Sequence, residues 1–134
     1  MSKCKTINPT TIRAPFGNYV HGIELPPGSR LLFTSGQLGT GKDDATPESA
    51  TEQARICFTN IGEILTASGL DFSDVIKVNA FVTDRAYFPE YMAVRDEFVP
   101  EPVASTLVIV SGFTRPEFKV EVEVIAAAGE LETP

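Results

Sequence analysis

Tryptophan is missing from the 134-residue chain, histidine occurs once, and cysteine and methionine occur twice each. A lone histidine, His21, excludes a multi-histidine metal site or a histidine pair built within one chain. Two cysteines are too few for a disulfide framework, and Cys4 and Cys57 lack metal-ligand spacing, so neither a metal nor another cofactor is expected. Cys57 falls inside a helical pattern and reads as a small core residue. No stretch approaches the roughly 18 uninterrupted apolar residues that a membrane span needs. The opening MSKCKTINPT lacks the apolar centre of a secretory leader, which gives the expectation of a cytoplasmic protein with no membrane partner. Positive charge is scarce too, with 11 Lys and Arg against 18 Asp and Glu, for a net charge of −7. An acidic chain whose cations are scattered repels phosphate backbones, so nucleic acid is not an expected partner.

What is present is an ordinary folding composition, 43% hydrophobic and 22% charged, over a length suited to a single domain spanning 1–134. YVHGIEL (19–25) and RLLFTSGQL (30–38) read as two strands around a Pro-Gly turn, a hairpin. In PESATEQARICFTNIGEILTASG the apolar positions Ala50, Ala54, Cys57, Phe58, Ile61, Ile64 and Leu65 recur at helical spacing. Ser49 followed by Glu52 marks a capping box, and Gly69 marks a left-handed stop. VIKVNAFVT (75–83) is a β-branched strand, DRAYFPEYMAVRDEFV a second helix with Pro89 near its first turn, STLVIV a strand, and FKVEVEVIAAA (118–128) a last strand.

This order describes an α+β domain with both helices on one face of a sheet. Alternation along the last strand puts Val120, Val122 and Val124 on one side and Glu121, Glu123 and Ile125 on the other. Both sides keep some apolar character, so the face without helices is expected to be covered by further copies of the chain.

Local motifs name no reaction. GQLGTGK (36–42) matches the spacing of a phosphate-binding loop, but Asp43 stands where a magnesium-binding hydroxyl belongs, and Asp44 adds a second anion. It reads as a surface loop. His21 lies two residues from Tyr19, on the same side of its strand, and the pair are candidates to line a polar pocket. Glu121 is a carboxylate on a face expected to be buried, which makes it either a site residue or half of an ion pair with Lys77, Lys119 or Arg115.

Taken together, YVHGIEL, FTSGQLG, the EQAR helix with its continuation ASGLDFSDVIKVNAFVTD, FPEYMAVRDEF and KVEVEVIA resemble the reactive intermediate deaminase family, RidA/YjgF. The likeness runs from about Gly17 to Ala128. It implies a chorismate-mutase-like fold, a mixed β-sheet with two helices on one face, assembled as a homotrimer with a cleft between each pair of neighbours. Members of that family hydrolyse reactive enamines and imines, such as 2-aminoacrylate, without a cofactor. Carried onto this sequence, the resemblance makes Tyr19 the cleft tyrosine, Ser35 and Gly36 the strand-end pair lining the pocket, and Glu121 the acid beside the attacking water.

Two positions depart from the family pattern. The carboxylate-binding arginine of a PARS segment is replaced in PVAST by Ala104, with Thr106 further along the same lip, and a cleft asparagine is replaced by Met92. A bidentate arginine-carboxylate contact contributes about 1.5–3 kcal/mol, and alanine supplies none of it. The expected function is therefore a hydrolase or deaminase acting on an imine, enamine or related small molecule that lacks the usual α-carboxylate. The alternative is a non-catalytic trimer that binds a small molecule or regulates a partner. Ribonuclease activity, attached to some relatives, is disfavoured by the acidic charge and the absent histidine pair.

Overall fold

The computed structural model describes residues 4–129. Lys5–Ile7 (β1) and Gly22–Glu24 (β2) form a small antiparallel pair. A mixed sheet contains Arg30–Phe33 (β3), Gln37–Leu38 (β4), Val75–Val82 (β5), Ala104–Ile109 (β6) and Val120–Ala128 (β7). β7 is its centre: β3 and β4 pair with one side of it and β5 with the other, all antiparallel, while β6 joins β5 in parallel. A parallel neighbour requires a crossover, and the helix Phe88–Phe98 (α2) supplies it.

The expected hairpin is not formed. β2 pairs with β1, and β3 pairs with β7. The linking LPPGS explains why, because Pro26 and Pro27 have no N–H for a ladder and Gly28 turns at φ 83°, so the chain leaves one sheet and enters another. At three residues, β1 is too short to show a period.

The first helix, Ala50–Ala67 (α1), ends as its sequence requires. Ser49 Oγ accepts the N–H of Glu52 at 3.0 Å. At the other end Gly69 takes φ 73°, and the N–H groups of Gly69 and Leu70 return to the carbonyls of Thr66 and Leu65. Its apolar stripe lies buried in one core with Val78, Val82, Val120 and Val122 of the sheet and Tyr91 and Val94 of α2, except Ile64, which at the edge of the stripe is only part-buried. α2 is shorter than the sequence pattern suggests: Arg85–Tyr87 form a 3-10 turn capped by Asp84, and Pro89 occupies the first helical turn.

The sheet's two faces follow the alternation. Val120, Val122 and Val124 are buried beneath the helices, and Glu121, Glu123 and Ile125 face away. Residues opposite one another share a face, so the side without helices carries successive rows: Phe33, Ile125, Lys77 and Ala104; then Glu123, Asn79 and Thr106; then Leu38, Glu121, Phe81 and Val108. Leu31, Phe33 and Val108 are 52%, 65% and 39% exposed there. Among the described residues no helix is long and apolar enough to cross a membrane.

Candidate functional site

Glu121 sits mid-sheet, on β7, between Leu38 of β4 and Phe81 of β5. Its side chain lies flat against the chain at Gly36: a Cβ built there would stand 2.5 Å from Glu121 Oε2 and 2.7 Å from Cδ. Glycine is thus the residue that lets a carboxylate rest on this backbone. Of the cations expected to pair with Glu121, none does. Lys77 donates to Thr106 Oγ1 at 3.0 Å, Arg115 pairs with Asp44 and Glu117, and Lys119 donates to the Glu48 carbonyl. Burial first, and the neighbouring Glu123 charge second, hold the Glu121 carboxyl above the ordinary carboxylate range. An unneutralised carboxylate with a raised pKa has the properties of a general base.

The strand that carries Glu121 is anchored at its start by a residue that the sequence pattern did not single out. Gln53, fully buried on α1, donates to the carbonyls of Pro47 and Glu117 at 2.9 Å each and accepts the Lys119 N–H at 2.8 Å. It ties the loop before α1 to the start of β7. Its signal in the sequence is a polar side chain one residue before Ala54, inside the apolar stripe.

Tyr19 and Met92 line a second place, a cavity of about 670 Å³ whose walls also include Phe16, Phe88, Ser105 and Leu107. Val20 positions Tyr19 by bridging Ala104 in parallel and donating its N–H to the Val103 carbonyl at 3.1 Å. The Tyr19 hydroxyl accepts the Phe16 N–H at 3.1 Å. His21 stacks edge-on to Tyr19 with ring centroids 6.1 Å apart, as expected from their shared side of the strand. Its Nε2 donates to the Arg13 carbonyl at 2.7 Å, however, and its ring borders a separate depression with Asn8 and Ile12.

Ala104 and Thr106 lie on the open sheet face, opposite Lys77 and Asn79. Three arginines are engaged elsewhere: Arg13 stacks on Phe16 at 3.7 Å, Arg95 is buried beside Asp96, and Arg115 lies with Asp44 and Glu117. Ser35 is exposed at the strand end beside Gly36. The register separates these places. From Ala104 to Glu121 is two strand spacings across and four residues along, on the order of 16 Å. One chain therefore brings Gly36 to Glu121 and Tyr19 to Met92, but does not bring the two pairs together.

The chain is similar to known proteins over most of its length. A family model described as Endoribonuclease L-PSP matches residues 11–128. The putative reactive intermediate deaminase TdcF of Escherichia coli is 35% identical over 123 residues, covering 87% of this chain and 92% of its own length. The 2-iminobutanoate/2-iminopropanoate deaminase of Bos taurus is 29% identical over 131 residues, covering 96% of this chain and 93% of its own. Among solved structures, the YjgF gene product of Escherichia coli superposes with a TM-score of 0.69 at 31% identity, covering 91% of this chain and 97% of its own.

Proposed function

Since the chain belongs to the RidA/YjgF family, we propose that it is a RidA-like deaminase, hydrolysing an imine or enamine that is not held by an α-carboxylate. The observation that carries this reading is Glu121, lying on Gly36 without a counter-ion. In the proposed step Glu121 takes a proton from water as the new C–O bond forms at the imine carbon, and passes that proton to the imine nitrogen. In the resulting carbinolamine Glu121 takes the hydroxyl proton as the carbonyl forms and delivers it to the departing nitrogen, so that the C–N bond breaks and ammonia leaves. Imine plus water gives ketone plus ammonia, with no redox change and no cofactor. An enamine enters the same path after tautomerising.

Because Glu121 and the Tyr19–Met92 cavity stand far apart in one chain, the complete cleft requires a second copy. The exposed Leu31, Phe33 and Val108 support a homotrimer closed across the open sheet face, each burial contributing about 1–2 kcal/mol. Tyr19, Ser35 and the Gly36 backbone hold the polar end of the substrate, while Ala104 and Met92 leave the cleft wider and more apolar. His21 enters only if it exchanges its bond to Arg13, and Thr106 borders the lip through its bond to Lys77.

The test is to generate 2-aminoacrylate and bulkier imines with a lyase or an amino-acid oxidase and to follow imine decay and ammonia release. Hydrolysis of the bulkier imines, lost in Glu121→Gln by about a hundredfold or more, is expected for a general base. No acceleration of any substrate by the folded protein would refute the proposal.

A further inference from the structure

Arg95 is completely buried, and so is Tyr91 one turn before it on α2. The single ion pair of Arg95 runs from Nη1 to Asp96 Oδ1 at 3.1 Å, and Asp96 is itself half exposed. Neither Nε nor Nη2 has a hydrogen-bond partner among the described residues, nor has the Tyr91 hydroxyl. Nε and Nη2 form one edge of the guanidinium, the fork that receives a carboxylate through two parallel bonds. A permanently charged group withdrawn from water with that fork unused is costly, and so is a buried hydroxyl without a partner. Each of these groups can act as a donor, and no acceptor meets them.

Arg95 is buried and does not itself line the cavity, but Met92 on the preceding turn does. Arg95 follows Met92 by three residues, and helical side chains lean toward the helix N-terminus, so it extends back over the turn that carries Met92 and Tyr91. Asp96 Oδ1 also accepts Asn18 Nδ2 at 3.2 Å, and Asn18 lines the cavity with Met92. Asp96 Oδ1 thus links Nη1 of the buried guanidinium to Asn18 on the cavity wall. Asn18 is retained by that bond and by a 3.4 Å bond to the Pro100 carbonyl, both long. No residue lining the cavity is charged.

We infer that Arg95 is a binding residue for a ligand carboxylate, reached through the cavity when Asn18 swings aside, and that the cation absent at Ala104 is supplied here from a different direction. The identification of the ligand as a substrate rests on the deaminase reading. On that reading the substrate class narrows to imines carrying a carboxylate at the far end of a short apolar chain, with the chain against Phe88, Met92 and Leu107 and the reacting carbon turned toward the open face.

The experiment is calorimetric titration of the intact protein with hexanoate and with hexanamide, which match in shape and differ in charge. The wild type is expected to prefer hexanoate by about tenfold to a hundredfold, the contribution of a charge-assisted fork. Arg95→Met, which fills the volume without charge, removes that preference, and Asp96→Asn, which removes the competing anion, raises it. Equal binding of acid and amide by the wild type, or a preference that survives Arg95→Met, overturns the inference. If Arg95→Met does not fold, Asp96→Asn decides the matter: a hexanoate affinity no higher than wild type refutes the site. A carboxylate preference without imine hydrolysis sinks the deaminase reading and leaves this site standing, and hydrolysis without the preference does the reverse.

Discussion

Replacing Gly36 with alanine separates catalysis from folding in a way the coordinates make calculable. The added methyl would sit 2.5 Å from Glu121 Oε2, 2.7 Å from Cδ and 3.0 Å from Cγ. Ordinary van der Waals separation is about 3.5–4 Å, so the carboxylate must retreat by about 1 Å. The backbone at Gly36 has no positive φ, so alanine adds no strain there. Glu121 is only part-buried, so a shift of its side chain is expected to cost under about 1 kcal/mol of stability. A displacement of about 1 Å at a reacting group costs roughly a hundredfold in rate. The expected result is a kcat lowered about a hundredfold on whichever imine the wild type hydrolyses, with an unchanged urea midpoint. Gly39→Ala is the contrast. Its methyl would meet Gln53 Cβ at 2.5 Å and Cα at 2.8 Å, where helix backbone does not yield, and about 1–3 kcal/mol of stability should be lost. Gly36→Ala retaining wild-type turnover, or losing as much stability as Gly39→Ala, would refute the assignment of Glu121 as the base resting on this glycine.

The remaining expectations concern charge and assembly. Glu121 ionises only above the usual carboxylate range, so kcat/KM should fall on the acid side as pH drops through that raised value. The sign for stability is opposite: the neutral carboxyl is the form the fold prefers, so its contribution is present below the unfolded pKa and lost as pH rises through the folded one. Glu121→Gln is therefore expected to melt slightly higher than wild type near neutrality and equally in acid, and thermal scans at two pH values check this. Ala104→Arg, measured with 2-aminoacrylate, should create or raise activity by about tenfold or more; no gain in a folded assembly would mean that this position does not face the substrate. Phe33→Asp places a charge on the exposed apolar part of the open sheet face, and sedimentation should show the proposed trimer replaced by smaller species.

The parts of the fold that could be read from the chain are those set by neighbours in sequence. α1 announced both its ends through Ser49 and Gly69, and β7 announced its faces through Val-Glu alternation. The pairings of β1 with β2 and of β3 with β7 could not be read, because they join segments far apart and β1 is too short for a pattern. The same division holds for the site. That Tyr19 and His21 share a side, and that Glu121 faces away from the core, follows from a period of two. The contact of Gly36 with Glu121 joins segments far apart in the chain, and resemblance to a family named both residues without placing one on the other. Arg95 did leave a local trace, since it continues the stripe of Tyr91 and Val94, where an apolar side chain belongs.

Cys57 has a practical consequence. Its thiol is fully buried, donates toward the Val120 carbonyl at 3.7 Å, and is pushed up to about 12 by burial. An alkylating reagent, which consumes thiolate, finds almost none there while α1 stays seated on β7. Labelling at that sulfur, read against the partly exposed Cys4, then counts how often the helix lifts from the strand that carries Glu121, so the chain holds its own gauge of breathing at the catalytic sheet.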